Sequence, residues 1–318
     1  MKYAPITFPK DELPHDMTTE WWYFNGNLVD NAGNRYSYMN TLFKVKFPKV
    51  LFKSLENVPS GDGYFYHSMI TRIDDQVSES HIDHVVKVRF DTKAPNLKIN
   101  FGPLLGKEEF EISKTDTDKY YIKGKGLELD LVTQKKPILV GGKGFVDNVG
   151  EETYYYSFPS LETKGSIELA GKKLEVTGSS WMDHQWGDFP IPRGYWSWFC
   201  VQLDNNIQII CYENGNKSGS KTLATISFGD NKQVSTEEVI FDTSGDVWKS
   251  TKTKESYDLG WEINIPKYDI SLQIEAPVKD QEVVYSYIRY WEGPININGK
   301  VNGQKVTGLG FMELARFR

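Results

Sequence analysis

Residues 179–190, SSWMDHQWGDFP, bring Asp183, His184, Trp186 and Asp188 within a few positions of one another. An imidazole and a carboxylate beside an indole can work as an acid/base pair, because a partly apolar pocket moves their pKa values toward working pH. On an extended chain His184, Trp186 and Asp188 share one face and Asp183 points to the other. The competing reading is a hydrogen-bonded histidine strut at a domain junction. A second cluster is GYWSWFCVQLDNNIQIICYENG, residues 194–215. Read as a hairpin turning at LDNN, it sets Trp196 and Trp198 on one face and brings Tyr212 and Glu213 beside them, with core packing of the rings as the alternative. A third is EWWYF, residues 20–24, where Glu20 precedes four aromatics. On a strand Trp21 and Tyr23 face one way and Trp22 and Phe24 the other, so both faces need cover. The candidate catalytic residues are therefore His184, Asp183, Glu213 and Tyr212. Candidate substrate contacts are Trp186, Trp22, Trp196, Trp198, Glu20 and His67, the last within GYFYHSMITRID.

Other chemistries find no motif. His81 and His84 in HIDH have a spacing that suits a helix, but the segment reads as a loop, and no metal site is expected there. GGKGFVDNVG lacks the Gly-Lys-Ser/Thr ending of a phosphate loop, and neither a G-x-G-x-x-G nor a G-x-S-x-G occurs in context, so no cofactor is expected.

The elements that must hold these residues read as strands. In GLELDLV, Leu127, Leu129 and Leu131 share one face and Glu128 and Asp130 the other, which is period 2. NLVDNAGNRYSYM predicts a hairpin turning at DNAGN, and GSIELAGKKLEVTG and PININGKVNGQKVTG have the same form. FPKVLFKSLENV is the best helix candidate and it is short. The chain also repeats itself: VTGSSWMDH begins at Val176 and VTGLGFMEL at Val306, each preceded at a similar distance by a tyrosine cluster. The second copy has Glu313 in place of Asp183 and Leu314 in place of His184. The sequence thus predicts an all-β protein of two antiparallel barrels packed side by side, residues 1–188 and 189–318, parted at the prolines of DFPIPRG.

Composition narrows the function. Aromatics make up 14% of the chain, which fits half-buried pleated surfaces. The 37 basic and 43 acidic residues are interleaved, so no nucleic-acid footprint is present. Two cysteines, Cys200 and Cys211, exclude a cysteine-built zinc site but allow one bridge. No apolar run is long enough for a membrane helix. The N-terminus shows no apolar leader core, compatible with a cytoplasmic protein or with one trimmed of its leader.

Taken together, EWWYFNGNL, YFYHSMITRID, VTGSSWMDHQWG, YWSWFCVQLDNN and VTGLGFMEL resemble the lipocalin-like carotenoid 1,2-hydratase (hydroxyneurosporene synthase) family, which includes the AttH-type proteins. The resemblance runs from Glu20 to Leu314. It implies two lipocalin-like barrels with an apolar cavity and cofactor-independent acid catalysis on an alkene of an isoprenoid- or polyketide-like substrate, as a hydratase or cyclase. It places the hydratase centre on His184, Trp186 and the Tyr212-Glu213 pair, where hydratases usually carry aspartate at the last position. In the scheme this implies, Glu213 or Asp183 donates a proton, His184 orients the acid or deprotonates water, and Trp186, Trp196 and Trp22 shield the cation. A carrier that holds a small hydrophobic ligand unchanged, and a hydrolase, are the alternatives.

Overall fold

The computed structural model describes residues 4–46, 62–85, 87–91, 97–102, 109–189, 194–285 and 288–317. Helix among them is confined to three-residue turns such as Lys10–Glu12 and Pro266–Tyr268. The helix candidate FPKVLFKSLENV lies outside the described residues.

Two large antiparallel sheets carry the chain. The first has 13 strands and runs from edge to edge through Val77–Val85, Asp62–Arg72, Arg35–Lys46, Thr19–Asp30, Lys172–Gly187, Glu151–Leu169, Leu127–Thr133, Lys119–Gly124, Phe110–Asp116, Lys98–Gly102 and Lys87–Asp91. Its two edge strands are consecutive in the chain, so the edges must meet and the sheet curls into a barrel. The second has 10 strands and runs through Gln233–Thr236, Gly219–Ser227, Gln208–Asn216, Gly194–Leu203, Gln304–Phe317, Ile288–Val301, Ile270–Glu275, Gly260–Ile265 and Ile240–Thr243. Its edges are also consecutive and close the same way. These are the two lipocalin-like barrels the sequence leads one to expect.

Period-2 patterning decides what each strand buries. Leu127, Leu129 and Leu131 are buried and Glu128 and Asp130 exposed, as the alternation requires. The DNAGN hairpin forms, with Gly33 at φ 85° and the Asp30 carboxylate accepting from the amides of Ala32 and Asn34. HIDH, expected as a loop, lies in the Val77–Val85 strand. Cys200 and Cys211 are free and buried on opposite sides, Cys211 inside the C-terminal barrel and Cys200 between the barrels.

The repeated Val-Thr-Gly strand holds the same place in both sheets. Lys172–Gly187 lies between Thr19–Asp30 and Glu151–Leu169, and Gln304–Phe317 lies between Gly194–Leu203 and Ile288–Val301. Its glycine is needed for close approach of backbone. A Cβ on Gly178 would stand 2.1 Å from the Asn27 carbonyl oxygen, and one on Gly308 would stand 2.5 Å from that of Gln202.

EWWYF is buried on both faces. Trp22 and Phe24 enter the N-terminal barrel, while Tyr23, with Trp21 packed against it, joins a cluster shared by both barrels that includes Trp181, Trp198 and Phe311. Glu20, on the inward side, anchors a polar cluster deep in the first barrel. Its carboxylate accepts from His184 Nε2 at 2.9 Å, His15 Nδ1 at 2.8 Å, the His15 amide at 3.0 Å and Lys44 Nζ at 3.3 Å. Since His184 Nε2 donates there, its Nδ1 accepts from the Tyr156 hydroxyl at 3.0 Å. Trp22 stacks on His184 at 4.8 Å and His15 on Trp186 at 3.9 Å. Burial disfavours the Glu20 charge, but the hydrogen bonds from His15 and His184 outweigh it and hold the carboxyl at about 2. Burial also holds the His184 imidazole down at about 4, against the pull of Glu20.

Two stability measurements follow. Gly178→Ala or Gly308→Ala forces strand backbones apart and should lower stability by about 1–3 kcal/mol in urea unfolding, whereas Gly33→Asn in the exposed hairpin turn should change it by less than about 1 kcal/mol. Acidification should weaken the fold in two stages. The unfolded histidine takes up a proton near 6.5 and the folded His184 only near 4, so stability falls as pH drops through that window; the depressed Glu20 carboxyl removes more from 4.5 down to about 2. In His184→Leu the first of these losses should shrink in the urea midpoint measured between pH 7 and 4.

Candidate functional site

A cavity of about 170 Å³ lies between the barrels. It is the outward faces of the strands just described that build it. Thr19–Asp30 contributes Trp21 and Tyr23, Lys172–Gly187 contributes Asp183 and Gln185, and Glu151–Leu169 contributes Glu151 and Tyr155. From the second barrel come Trp196 and Trp198 on Gly194–Leu203, Tyr212 and Asn214 on Gln208–Asn216, Tyr290 on Ile288–Val301 and Glu313 on Gln304–Phe317. Asp183, Tyr155, Tyr23, Trp198 and Tyr212 are buried, and Trp21, Tyr195 and Trp196 are half-buried, which grades the cavity from a dry floor outward.

Two carboxyl groups at the same position of the repeat meet this space. Asp183 accepts from Tyr155 at 2.6 Å, from Ser157 at 2.5 Å and from Trp181 Nε1 at 2.6 Å, and Tyr155 in turn accepts from Trp198 Nε1 of the other barrel at 2.9 Å. Burial raises the Asp183 carboxyl to about 6 even though these donors pull the other way. Glu313 accepts only from Trp196 Nε1, at 2.8 Å, among the bonds described. Burial raises it to about 8, and the charge of Asp183 adds to the rise. Directly opposite Glu313 on the neighbouring strand is Glu292, pushed well above the carboxylate range by burial and by Glu313, and hydrogen-bonded by the Tyr23 hydroxyl. The site therefore holds one carboxyl that ionises below neutrality and one that stays protonated above it, inside walls of indole and phenol rings.

The candidate residues divide between two places. Asp183, Tyr212, Trp196 and Trp198 line the cavity. His67 backs it, its Nδ1 2.7 Å from the Tyr290 hydroxyl and its imidazole held down at about 3 by burial. His184, Trp186, Trp22 and Glu20 lie inside the N-terminal barrel, on the opposite face of the strands that carry Asp183 and Tyr23. Glu213 faces away from the cavity beside Tyr212 and accepts from the Tyr195 hydroxyl at 3.1 Å. The ligand atoms of His15, Glu20 and His184 lie within 4.8 Å of one another, a metal-like grouping, yet both Glu20 oxygens already accept hydrogen bonds, one of them from Lys44 Nζ.

Sequence reasoning passed over Glu313, Tyr155, Tyr23 and Glu292. The repeat held the signal for Glu313: both copies keep an acid at this position, whereas the neighbouring histidine becomes Leu314. That leucine packs in the core of the second barrel. There the strand position that answers Glu20 is Tyr195, one residue before Trp196 as Glu20 is one before Trp21, so no buried carboxylate calls for a histidine. Tyr23 and Glu292 are 269 residues apart and carried no local signal.

Comparison with known proteins gives a consistent picture. The chain is 28% identical over 175 residues to kievitone hydratase of Fusarium solani subsp. phaseoli, covering 51% of this chain and 49% of that protein. It is 21% identical over 192 residues to dehydratase asqC of Emericella nidulans, covering 56% and 55%. The chain spans about half the length of the curated relatives it matches. A crystal structure assigned as an AttH of Nitrosomonas europaea superposes with a TM-score of 0.80 at 20% identity, covering 100% of this chain and 98% of that one. The AttH-like family model matches residues 2–316, and the chain belongs to that family.

Proposed function

We propose that this protein is a cofactor-independent hydratase or dehydratase that adds water to, or removes it from, a carbon–carbon double bond of an apolar, isoprenoid- or polyketide-like substrate in the cavity between the barrels. The observation that carries this reading is the pairing of Asp183 and Glu313, two carboxyls with separated pKa values in one aromatic cavity. Relatives named as a hydratase and a dehydratase support it.

In the hydration direction the protonated Glu313 gives its proton to one alkene carbon and leaves a tertiary cation on the other. The faces of Trp21, Trp196 and Trp198 stabilise that cation, by about 0.5–2 kcal/mol each. Water bonds to the cationic carbon, and the ionised Asp183 takes the proton that the water releases; solvent exchange restores both acids. Dehydration runs through the same steps in reverse. A carboxylic acid kept neutral by desolvation is the appropriate donor, and a carboxylate already anchored by three donors is the appropriate base, because its position costs little to organise during the reaction. Tyr155 holds Asp183 and Tyr23 holds Glu292 behind Glu313. His184, Trp186, Trp22 and Glu20 act from the far side of the strand by fixing its register, and Glu213 takes no part.

The test is incorporation of ¹⁸O from labelled water into a panel of prenylated aromatics and short polyprenes, followed by mass spectrometry. Material recovered unlabelled after binding would replace this reading with that of a carrier. For an active substrate, kcat/KM should rise as Asp183 ionises near pH 6 and fall as Glu313 ionises near pH 8. Glu313→Gln should retain the melting temperature within a few degrees and lose about 10²–10⁴-fold in kcat. His184→Ala should instead lose roughly 3 kcal/mol of stability, through a cavity and unpaired polar partners, with activity falling only with the folded fraction.

A further inference from the structure

The charged groups that face the cavity are all carboxyls, and most of its hydroxyl and indole donors are spent on protein acceptors: Tyr23 on Glu292, Tyr155 on Asp183, Tyr212 on Asn148 and Trp196 on Glu313. The carboxyls of Glu151, Asp183 and Glu313 line it, and so does Asn214, whose Oδ1 is buried without a hydrogen-bond partner. Between them stand the faces of Trp21, Trp196 and Trp198. Among the described residues that line the cavity there is no lysine, arginine or histidine. The nearby Arg316 guanidinium lies 5.3 Å from the Tyr195 ring and donates to the carbonyls of Trp196 and Ala315. A space walled by ring faces, with carboxyls and no cationic side chain in its lining, selects against a carboxylate or phosphate headgroup and favours a cation that carries an N–H.

We propose that the cavity is a binding site for a protonated amine borne on an apolar body, with the ammonium between the indoles and the carboxyls and its N–H directed to Asn214 Oδ1. This rests on reading the cavity as the ligand site, and it names a ligand class for that site, as substrate or as inhibitor. A cation with an N–H also supplies the donor that Asn214 lacks, which a hydrocarbon or a quaternary ammonium does not. Capture of the cation draws Glu313 toward its ionised form, so uptake releases a proton and affinity rises with pH until Glu313 is ionised. The groups facing Glu313 are Glu292 and Tyr290 on one neighbouring strand, Trp196 and Trp198 on the other, and Asp183 and Tyr23 across the cavity. None of these carries a positive charge that would oppose the ligand.

Three probes of one shape and different charge decide the matter: N,N-dimethylbenzylammonium, its neutral isostere isobutylbenzene, and phenylacetate. Each has roughly ten non-hydrogen atoms, about what a space of this size holds at protein packing density. Tryptophan fluorescence titration of the full chain at pH 7.5 should give at least a tenfold preference for the ammonium over isobutylbenzene and no saturable binding of phenylacetate. The preference should fall below threefold in Glu313→Gln, and in Asn214→Leu if the first variant does not fold. The ammonium affinity should weaken severalfold at pH 6. Isobutylbenzene binding as tightly as the ammonium, or a preference unchanged in both variants, overturns this proposal while leaving the hydratase reading intact. Failure of all three probes to bind removes the cavity as a ligand site and both readings with it. Ammonium binding in a protein that never incorporates labelled oxygen keeps this proposal and ends the other.

Discussion

Alternate side chains of the Lys172–Gly187 strand leave it in opposite directions, and over residues 180–187 both directions are buried. Inward lie Met182, His184 and Trp186 in the core of the first barrel; outward lie Trp181, Asp183 and Gln185 against the second. A shift of one residue in register would exchange these sets, sending the carboxylate of Asp183 into the barrel and the imidazole to the cavity. The neighbouring strands are bound by the same condition. Glu20 and Trp22 must face inward for Tyr23 to reach Glu292, and the polar cluster around Glu20 locks that choice, because its hydrogen bonds link Thr19–Asp30, Lys172–Gly187, Arg35–Lys46 and the segment at His15.

Charge is handled in contrasting ways on the two faces. Glu20 is buried but accepts from two imidazoles, a backbone amide and an ammonium, and it stays ionised. Glu292 is buried and Glu313 half-buried, with few donors and opposite each other, and desolvation holds them protonated. Asp183 lies between these extremes, with three donors and no cation. The same side-chain chemistry thus gives an ionised anchor, a carboxyl held neutral and one that ionises below neutrality, and the donors aimed at each carboxylate together with its burial decide which. An aromatic-rich composition makes this workable, since tryptophan and tyrosine bury large apolar faces and still present an N–H or O–H to the carboxylates. The bonds from Trp196 to Glu313 and from Trp198 to Tyr155 show both uses in one side chain.

The placement of equivalent acids in one cavity reflects how the two barrels meet. Each presents its Val-Thr-Gly strand and the partner strand before it, so Trp21 and Tyr23 of one barrel answer Trp196 and Trp198 of the other. The repeat has diverged inside the barrels, where His184 faces the Glu20 cluster and Leu314 a hydrocarbon core, while the acid at the shared surface is kept.

Strand period, hairpin turns and the internal repeat are local or periodic properties, and the sequence by itself determined them: the alternation of Leu127, Leu129 and Leu131, the turn at DNAGN, the matching strands at Val176 and Val306, and from these an all-β pair of barrels. It also determined that Asp183 and His184 point to opposite faces, since that follows from the pleat alone. Which face met a cavity and which met a core was decided only by the tertiary structure, because it depends on how two closed sheets pack, and no pattern of period 2 distinguishes a barrel's interior from its interface when both are apolar. His184 and Trp186 stand beside Asp183 in sequence, and the structure sets them inside the first barrel, where His184 bonds Glu20 and Trp186 stacks on His15. Tyr23 showed in sequence only a face in need of cover, and Glu292 showed nothing, because their partnership spans both barrels. The pKa values of the carboxyls were likewise beyond reach, since desolvation and donor count are properties of the packed surroundings and not of the residue.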